Sequence, residues 1–195
     1  MKQDEFADVE IIKLRKLYEN LASSNIMDIE KDSFLICKKY TGFNYELFYD
    51  DTVKILVPST FAVMPDELAV FRYPTEYRPE VILTSNSHLE NLAFTLMDKL
   101  SMSPEESIES VKSAISRNTP WAVIYDQDNF TAIDGLEGCW LEYKSFTLVD
   151  ENYNMQFMVA SKTHTLIGAF NCKMRYFEEW KPYVLQILEH ISIYD

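Results

Sequence analysis

The run AFNCKMRYFEEWKP, residues 169–182, sets a cysteine between an alternating apolar stretch and a cluster of aromatic and acidic side chains. A thiol becomes a nucleophile when a base lies within hydrogen-bond reach and the surroundings favour the thiolate. His164, eight residues before Cys172, is the nearest imidazole along the chain. Cys172 nevertheless shares its alternation with Leu166 and Phe170, and on a strand that parity predicts one common buried face. The helix expected after it begins several residues later, too far for its dipole to lower the thiol's pKa. Cys172 therefore reads as a buried strand-end residue, and Cys37 and Cys139 read the same way. No catalytic residue is assigned.

Other chemistries fail on spacing. Cys37, His88, Cys139, His164, Cys172 and His190 are scattered, whereas structural zinc ligands tend to come in close pairs. In DQDNFTAIDGLE, residues 126–137, the oxygen donors Asp126, Asp128, Asn129, Asp134 and Glu137 cluster. Phe130 holds the third-ligand place, however, Thr131 stands where the glycine belongs, and Gly135 is out of register. Hairpin turns carrying solvated acids account for that stretch, and no metal is expected. Carboxylates such as Glu142, Glu178 and Glu179 are numerous, but nothing sets two across a scissile bond, and Glu178 and Glu179 suit the start of a helix. There is no phosphate loop, glycine-flanked serine or His-Glu-x-x-His helix, so no cofactor is expected.

The aromatic residues are more suggestive. FRYPTEYRPE, residues 71–80, holds Arg72, Tyr73, Tyr77 and Arg78 in a proline-bracketed loop, while Tyr143 and Tyr153 fall on neighbouring expected strands. Tyrosine and arginine combine rigid apolar area with a polar edge and are common at interface centres. These six are the candidate binding residues; the competing reading of the loop is a structural crossover.

The elements that must position them follow from periodicity. Ile11, Leu14, Tyr18 and Leu21 recur at helical spacing over about 4–22, with acids before bases, as the helix dipole favours. This helix either docks on the main domain or protrudes to bind a partner, and residues 23–33 form a linker. Short β-rich runs from Phe34 to Phe61 predict a hairpin ending at Pro58, and NLAFTLMDKL reads as a strand or a short helix. In SMSPEESIESVKSAISRN, Ser103, Pro104 and Glu106 spell a capping box, and Ile108, Val111 and Ile115 the buried stripe behind it. WAVIY and FTAI are expected strands separated by DQDN. Asp134-Gly135 is a tight turn, and residues 136–172 form an antiparallel meander turning near 150–152 and 161–164. A final helix from about Phe177 to Ile191 buries Trp180, Val184, Ile187, Leu188 and Ile191; Pro182, acceptable in a first turn, sets its start near Glu178 or Glu179. The expected domains are 1–32, a helix and linker, and 33–195, an antiparallel sheet flanked by helices.

Composition narrows the partners. With 195 residues, 47% apolar, 25% charged and 14% aromatic, the chain can bury one substantial core. A formal net charge of −13 repels phosphate backbones and anionic bilayers, so neither nucleic acid nor a membrane is expected as partner. The acidic start MKQDEFADVE lacks a secretory signal, and three widely spaced cysteines suit free thiols in a reducing compartment, so the expected location is cytoplasmic.

YDDTVKILVPSTFAVM, FRYPTEYRP followed by VILTS, and LIGAFNCKMRYFEEWKPYVLQILEHI together resemble the PsbP/Mog1-like superfamily: its opening hairpin, its crossover, and its closing strand, turn, Trp and helix. The resemblance spans roughly residues 34–191. It implies an α+β fold, an α/β/α sandwich around a central antiparallel sheet, with the N-terminal helix as an addition. It implies mainly non-enzymatic roles, since the superfamily includes photosynthetic accessory subunits, a nuclear-transport GTPase-binding factor, lipoproteins and secretion adaptors. It supplies no shared set of functional residues. The function expected is a cytoplasmic protein-binding or adaptor module; the rival is a hydrolase or small-ligand enzyme whose cleft is assembled in three dimensions.

Overall fold

The alternation that marks the meander becomes three long paired strands in the computed structural model, which describes residues 29–147 and 150–195. The helix expected over 4–22 lies outside the described residues. Element order is β1 (Phe34–Ile36), β2 (Lys39–Thr41), β3 (Phe43–Phe48), β4 (Val53–Pro58), β5 (Phe61–Val63), α1 (Asp66–Arg72), β6 (Val81–Ser85), β7 (Asn91–Asp98), α2 (Pro104–Asn118), β8 (Val123–Thr131), β9 (Glu137–Phe146), β10 (Glu151–Ala160), β11 (His164–Lys173), α3 (Phe177–Glu189) and β12 (Ser192–Ile193). The strands form a seven-stranded sheet, β5-β6-β7-β11-β10-β9-β8, a three-stranded sheet, β12-β4-β3, and the β1–β2 hairpin. All pairings are antiparallel.

The period of two sorts the large sheet into two faces. Leu166, Phe170 and Cys172 of β11 join Tyr153, Met155, Phe157 and Val159 of β10 in the main core with Trp180, Val184, Ile187 and Leu188 of α3. On the opposite face Ile108 of α2 packs with Cys139, Leu141 and Met158. Leu68 and Ala69 of α1 pack on Met64, Ile82 and Ala93. Ala93 and Ala169 are register partners, and Ala169 alternates with the core-facing residues of β11, so α1 and α2 share one face and α3 takes the other. The small sheet packs on the α3 side, where Phe48 meets Phe94 edge-on at 5.1 Å between ring centroids. This is the expected α+β sandwich, an antiparallel sheet between helices, with a second, three-stranded sheet on the α3 side.

Local chemistry explains the boundaries. At the start of α2 the Glu106 N–H donates to Ser103 Oγ (3.2 Å) and the Ser103 N–H to Glu106 Oε2 (2.9 Å), closing the capping box. Gly135, at φ 77°, makes the tight β8–β9 turn. Gly168 faces Phe157 across the β10–β11 ladder, and a Cβ there would lie 2.2 Å from that ring, so the glycine is the seat of the phenylalanine. Several other turns use left-handed backbone without glycine: Cys37 and Lys38 between β1 and β2, Tyr49, Asp50 and Asp51 between β3 and β4, and His88 between β6 and β7.

The expectations need two corrections. DQDN does not separate two strands: residues 123–131 run as one strand with a register shift between Ile124 and Asp126. Its polar residues reflect an edge position wet on both faces. Pro182 is interior to α3, not in its first turn; a 3₁₀ turn over Met174–Tyr176 feeds the helix in earlier than the proline suggests. Residues 91–98, where the pattern allows a strand or a short helix, form a strand.

One polar cluster lies inside the main layer. Lys181 Nζ of α3 lies 3.0 Å from Glu142 Oε1 of β9, and Tyr153 of β10 donates its hydroxyl to Glu142 Oε2 at 2.7 Å. All three residues are buried, and the ammonium sits 5.6 Å from the Trp140 ring centroid. Elsewhere the chain folds back on itself: the Tyr194 N–H donates to the Thr52 carbonyl (2.8 Å), and the Asp195 carboxylate accepts from the backbone of Lys162 and Thr163 and from the Ser161 hydroxyl, holding the β10–β11 turn. These bonds hold the Asp195 carboxyl well below the usual carboxylate range. Among the described residues no helix is long and apolar enough to cross a membrane.

Removing one member of a buried ion pair strands the other charge, at a cost of about 3–5 kcal/mol. Lys181→Met should therefore lose about that much stability in urea denaturation, and Lys181→Met/Glu142→Leu should lose less than the single variant. A double variant as damaged as the sum of the singles would remove the pair from this role. Because the Asp195 pKa is depressed on folding, its contribution is complete above about pH 4 and fades as pH falls further. Asp195→Asn should accordingly flatten the acid limb of a stability–pH curve below pH 4 relative to the wild type.

Candidate protein-binding surface

At seven residues α1 is too short to persist by propensity, so packing must hold it. Asp66 and Glu67 lie in its first turn and Arg72 in its last, the order its dipole favours. Leu68, Ala69 and Tyr73 turn toward the sheet, yet no residue of α1 is buried. The outward residues are large: Phe71 is 81% exposed and Tyr77, in the following loop, 94%. Val70 and Val63 are also exposed. Beside them a cleft of about 310 Å³ opens between α1, the 73–80 loop and the β5 edge. Val63, Met64, Ala69 and Ile82 line it together with the charged Asp66, Glu76, Arg78 and Glu80, and its surface is more polar than apolar.

The six residues singled out from the sequence divide here. Tyr77 and Arg78 are exposed on this surface. Arg72 instead donates through Nη1 to the His88 carbonyl, tying α1 to the β6–β7 turn. Tyr73 packs beneath α1 and receives a long hydrogen bond from Asn171 Nδ2 (3.5 Å). Tyr143 pairs in register with Asn154, so Tyr153, one residue on, faces the other side of the sheet. Tyr143 is half-buried on the α2 side, where burial raises its pKa. Tyr153 is wholly buried against Glu142, so it offers nothing to a partner. Sequence reasoning missed Val63, Val70 and Phe71. Their hydrophobicity was visible, but their exposure depends on a helix too short to show a period.

The alternative chemistries find no converging geometry among the described residues. Cys172 is 1% exposed, and burial, reinforced by the Glu90 charge, pushes its thiol far up. His164 stands at the other end of β11, roughly 26 Å away at about 3.3 Å per residue, where it contacts Thr163 Oγ1. Burial also pushes Cys37 and Cys139 up to about 11. Asp128 and Asn129 are consecutive on β8, opposite Trp140 and Cys139, so the donors of 126–137 alternate between two faces. Glu142 is committed to Lys181, and Glu179 accepts from the Cys37 N–H at 2.6 Å.

No protein-family profile matches the sequence, and no curated protein matches it. Solved structures do match in shape. The solution structure of cyanobacterial PsbP (CyanoP) from Synechocystis sp. PCC 6803 superposes with a TM-score of 0.59 at 10% identity, covering 78% of this chain and 92% of that one. LpqN, involved in cell envelope biogenesis of Mycobacterium tuberculosis, gives 0.56 at 12% identity, covering 82% and 95%. The Saccharomyces cerevisiae Ran-binding protein Mog1p gives 0.51 at 10% identity, covering 80% and 97%. The chain has the PsbP/Mog1-like fold. At these identities the likeness defines architecture alone.

The thiols provide a check on this arrangement. With a pKa near 11, roughly one thousandth of a thiol is ionised at pH 8. In the native protein at pH 8, a disulfide reagent such as Ellman's should leave Cys139 and Cys172 unmodified over minutes and modify Cys37 only slowly, whereas denatured protein should titrate three thiols at once. Rapid native modification of Cys172 would contradict its burial.

Proposed function

We propose that this chain is a protein-binding or adaptor module that docks its partner on α1, the 73–80 loop and the β5 edge. The observation that carries the reading is the exposure of Phe71, on α1, and of Tyr77, in the loop after it between two residues that line the cleft. Single exposed apolar residues are ordinary, whereas several carried on one short stretch of chain, Val63, Val70, Phe71 and Tyr77, support an interaction site. The Ran-binding protein Mog1p shares this fold and is named for a protein partner, which is consistent with the reading. Three thiols without disulfides support a reducing compartment, in our reading the cytoplasm.

The variant to test is Phe71→Ala/Tyr77→Ala. Arg72 is unsuitable because its guanidinium holds the β6–β7 turn, so its removal would confound folding with binding. The double variant should melt within about 2 °C of the wild type, since neither side chain is buried. It should lose its specific partner in affinity capture from native lysate, with a weakening of about 30-fold or more for a loss of 2 kcal/mol or greater. Unchanged capture by the folded variant would remove this surface from the function.

A further inference from the structure

The lining of the α1 cleft states what kind of partner fits. Asp66, Glu76 and Glu80 set three carboxylates against the single guanidinium of Arg78, a net of −2. Among the described residues none of these four takes part in an ion pair, although Glu80 is within hydrogen-bond reach of the Tyr49 side chain, and all four are exposed. Glu67, in the first turn of α1, adds a further negative charge nearby. The chain as a whole carries −13. A mixed lining with an excess of acids favours a cationic, partly apolar ligand, because desolvating the carboxylates against an anionic partner would be repulsive.

Resting on the protein-binding reading above, we propose that the segment docked here is basic and amphipathic: apolar side chains seat on Phe71, Tyr77 and the cleft walls, and flanking lysine or arginine side chains meet Asp66, Glu76 and Glu80. The apolar contacts hold the segment, and the acids choose it and speed its arrival. Arg78 repels a cation placed directly beside it and thereby constrains the register of the segment.

The test uses the full chain and a fluorescein-labelled amphipathic peptide of leucine, phenylalanine and lysine, with a counterpart in which every lysine is glutamate. Anisotropy should show the lysine peptide binding and the glutamate peptide not binding. Glu76→Lys/Glu80→Lys should weaken the lysine peptide at least ten-fold, and Phe71→Ala/Tyr77→Ala should abolish its binding. Asp128→Lys/Glu137→Lys makes the same change of net charge at the opposite edge of the large sheet and should shift affinity less than two-fold. Melting curves of each variant confirm folding. Equal binding of both peptides, or equal losses from the two charge reversals, would overturn the proposal, the latter by reducing the effect to bulk charge. Failure of the lysine peptide while lysate capture still depends on Phe71 and Tyr77 would overturn the basic chemistry and leave the protein-binding reading standing.

Discussion

The contact between Lys181, Glu142 and Tyr153 ties three separate parts of the chain together at one buried point. Charges leave water at a high cost, repaid only when geometry and hydrogen bonding are complete. Here one carboxylate oxygen meets the ammonium and the other a phenol. Apolar packing would tolerate some sliding of α3 across the sheet, whereas this contact tolerates little. It orients a helix whose first turns reach the β5 edge, where Trp180 meets Phe61 at 5.6 Å between ring centroids. Its last turn meets the β8–β9 turn, where the Ile133 N–H donates to the Glu189 carbonyl. A diagonal strut thus braces the large sheet from one edge to the other on one face and leaves the opposite face to α1 and α2.

That division explains where exposed apolar side chains fall. β8, the long edge strand, carries Asp126 and Asp128 and so resists pairing with another chain. β5, the other edge, has only three residues and is followed at once by α1. A short edge beside a shallow helix gives up little core when it exposes aromatics, so the molecule can present Phe71 and Tyr77 without weakening its main layer.

What could be read from sequence follows the range of the forces involved. The α2 capping box was legible because its partners lie three residues apart, and the meander because alternation over ten-residue strands outlasts local noise. β5, α1 and β12 were not legible: three, seven and two residues are too few for a period. In the candidate site, loop composition pointed to Tyr77 and Arg78. The separation of Tyr143 from Tyr153 turned on a single-residue difference in register, and Arg72 was claimed by a carbonyl sixteen residues away. Side-chain identity was legible in each case, and tertiary placement decided whether the side chain stays exposed or is taken up by the fold itself.

The glycine-free turns carry a last implication, one for engineering. Left-handed backbone costs an ordinary L-residue about 1–2 kcal/mol and an aspartate less; Lys38 bears the larger cost in a surface turn, Asp50 and Asp51 the smaller. Glycine would relieve that strain while giving back about 0.5–1 kcal/mol through a freer unfolded chain, so the exchange at Lys38 nets a modest gain. The protein thus holds a reserve of untapped thermal tolerance in a surface turn, and a hardier version needs no repacking of its interior.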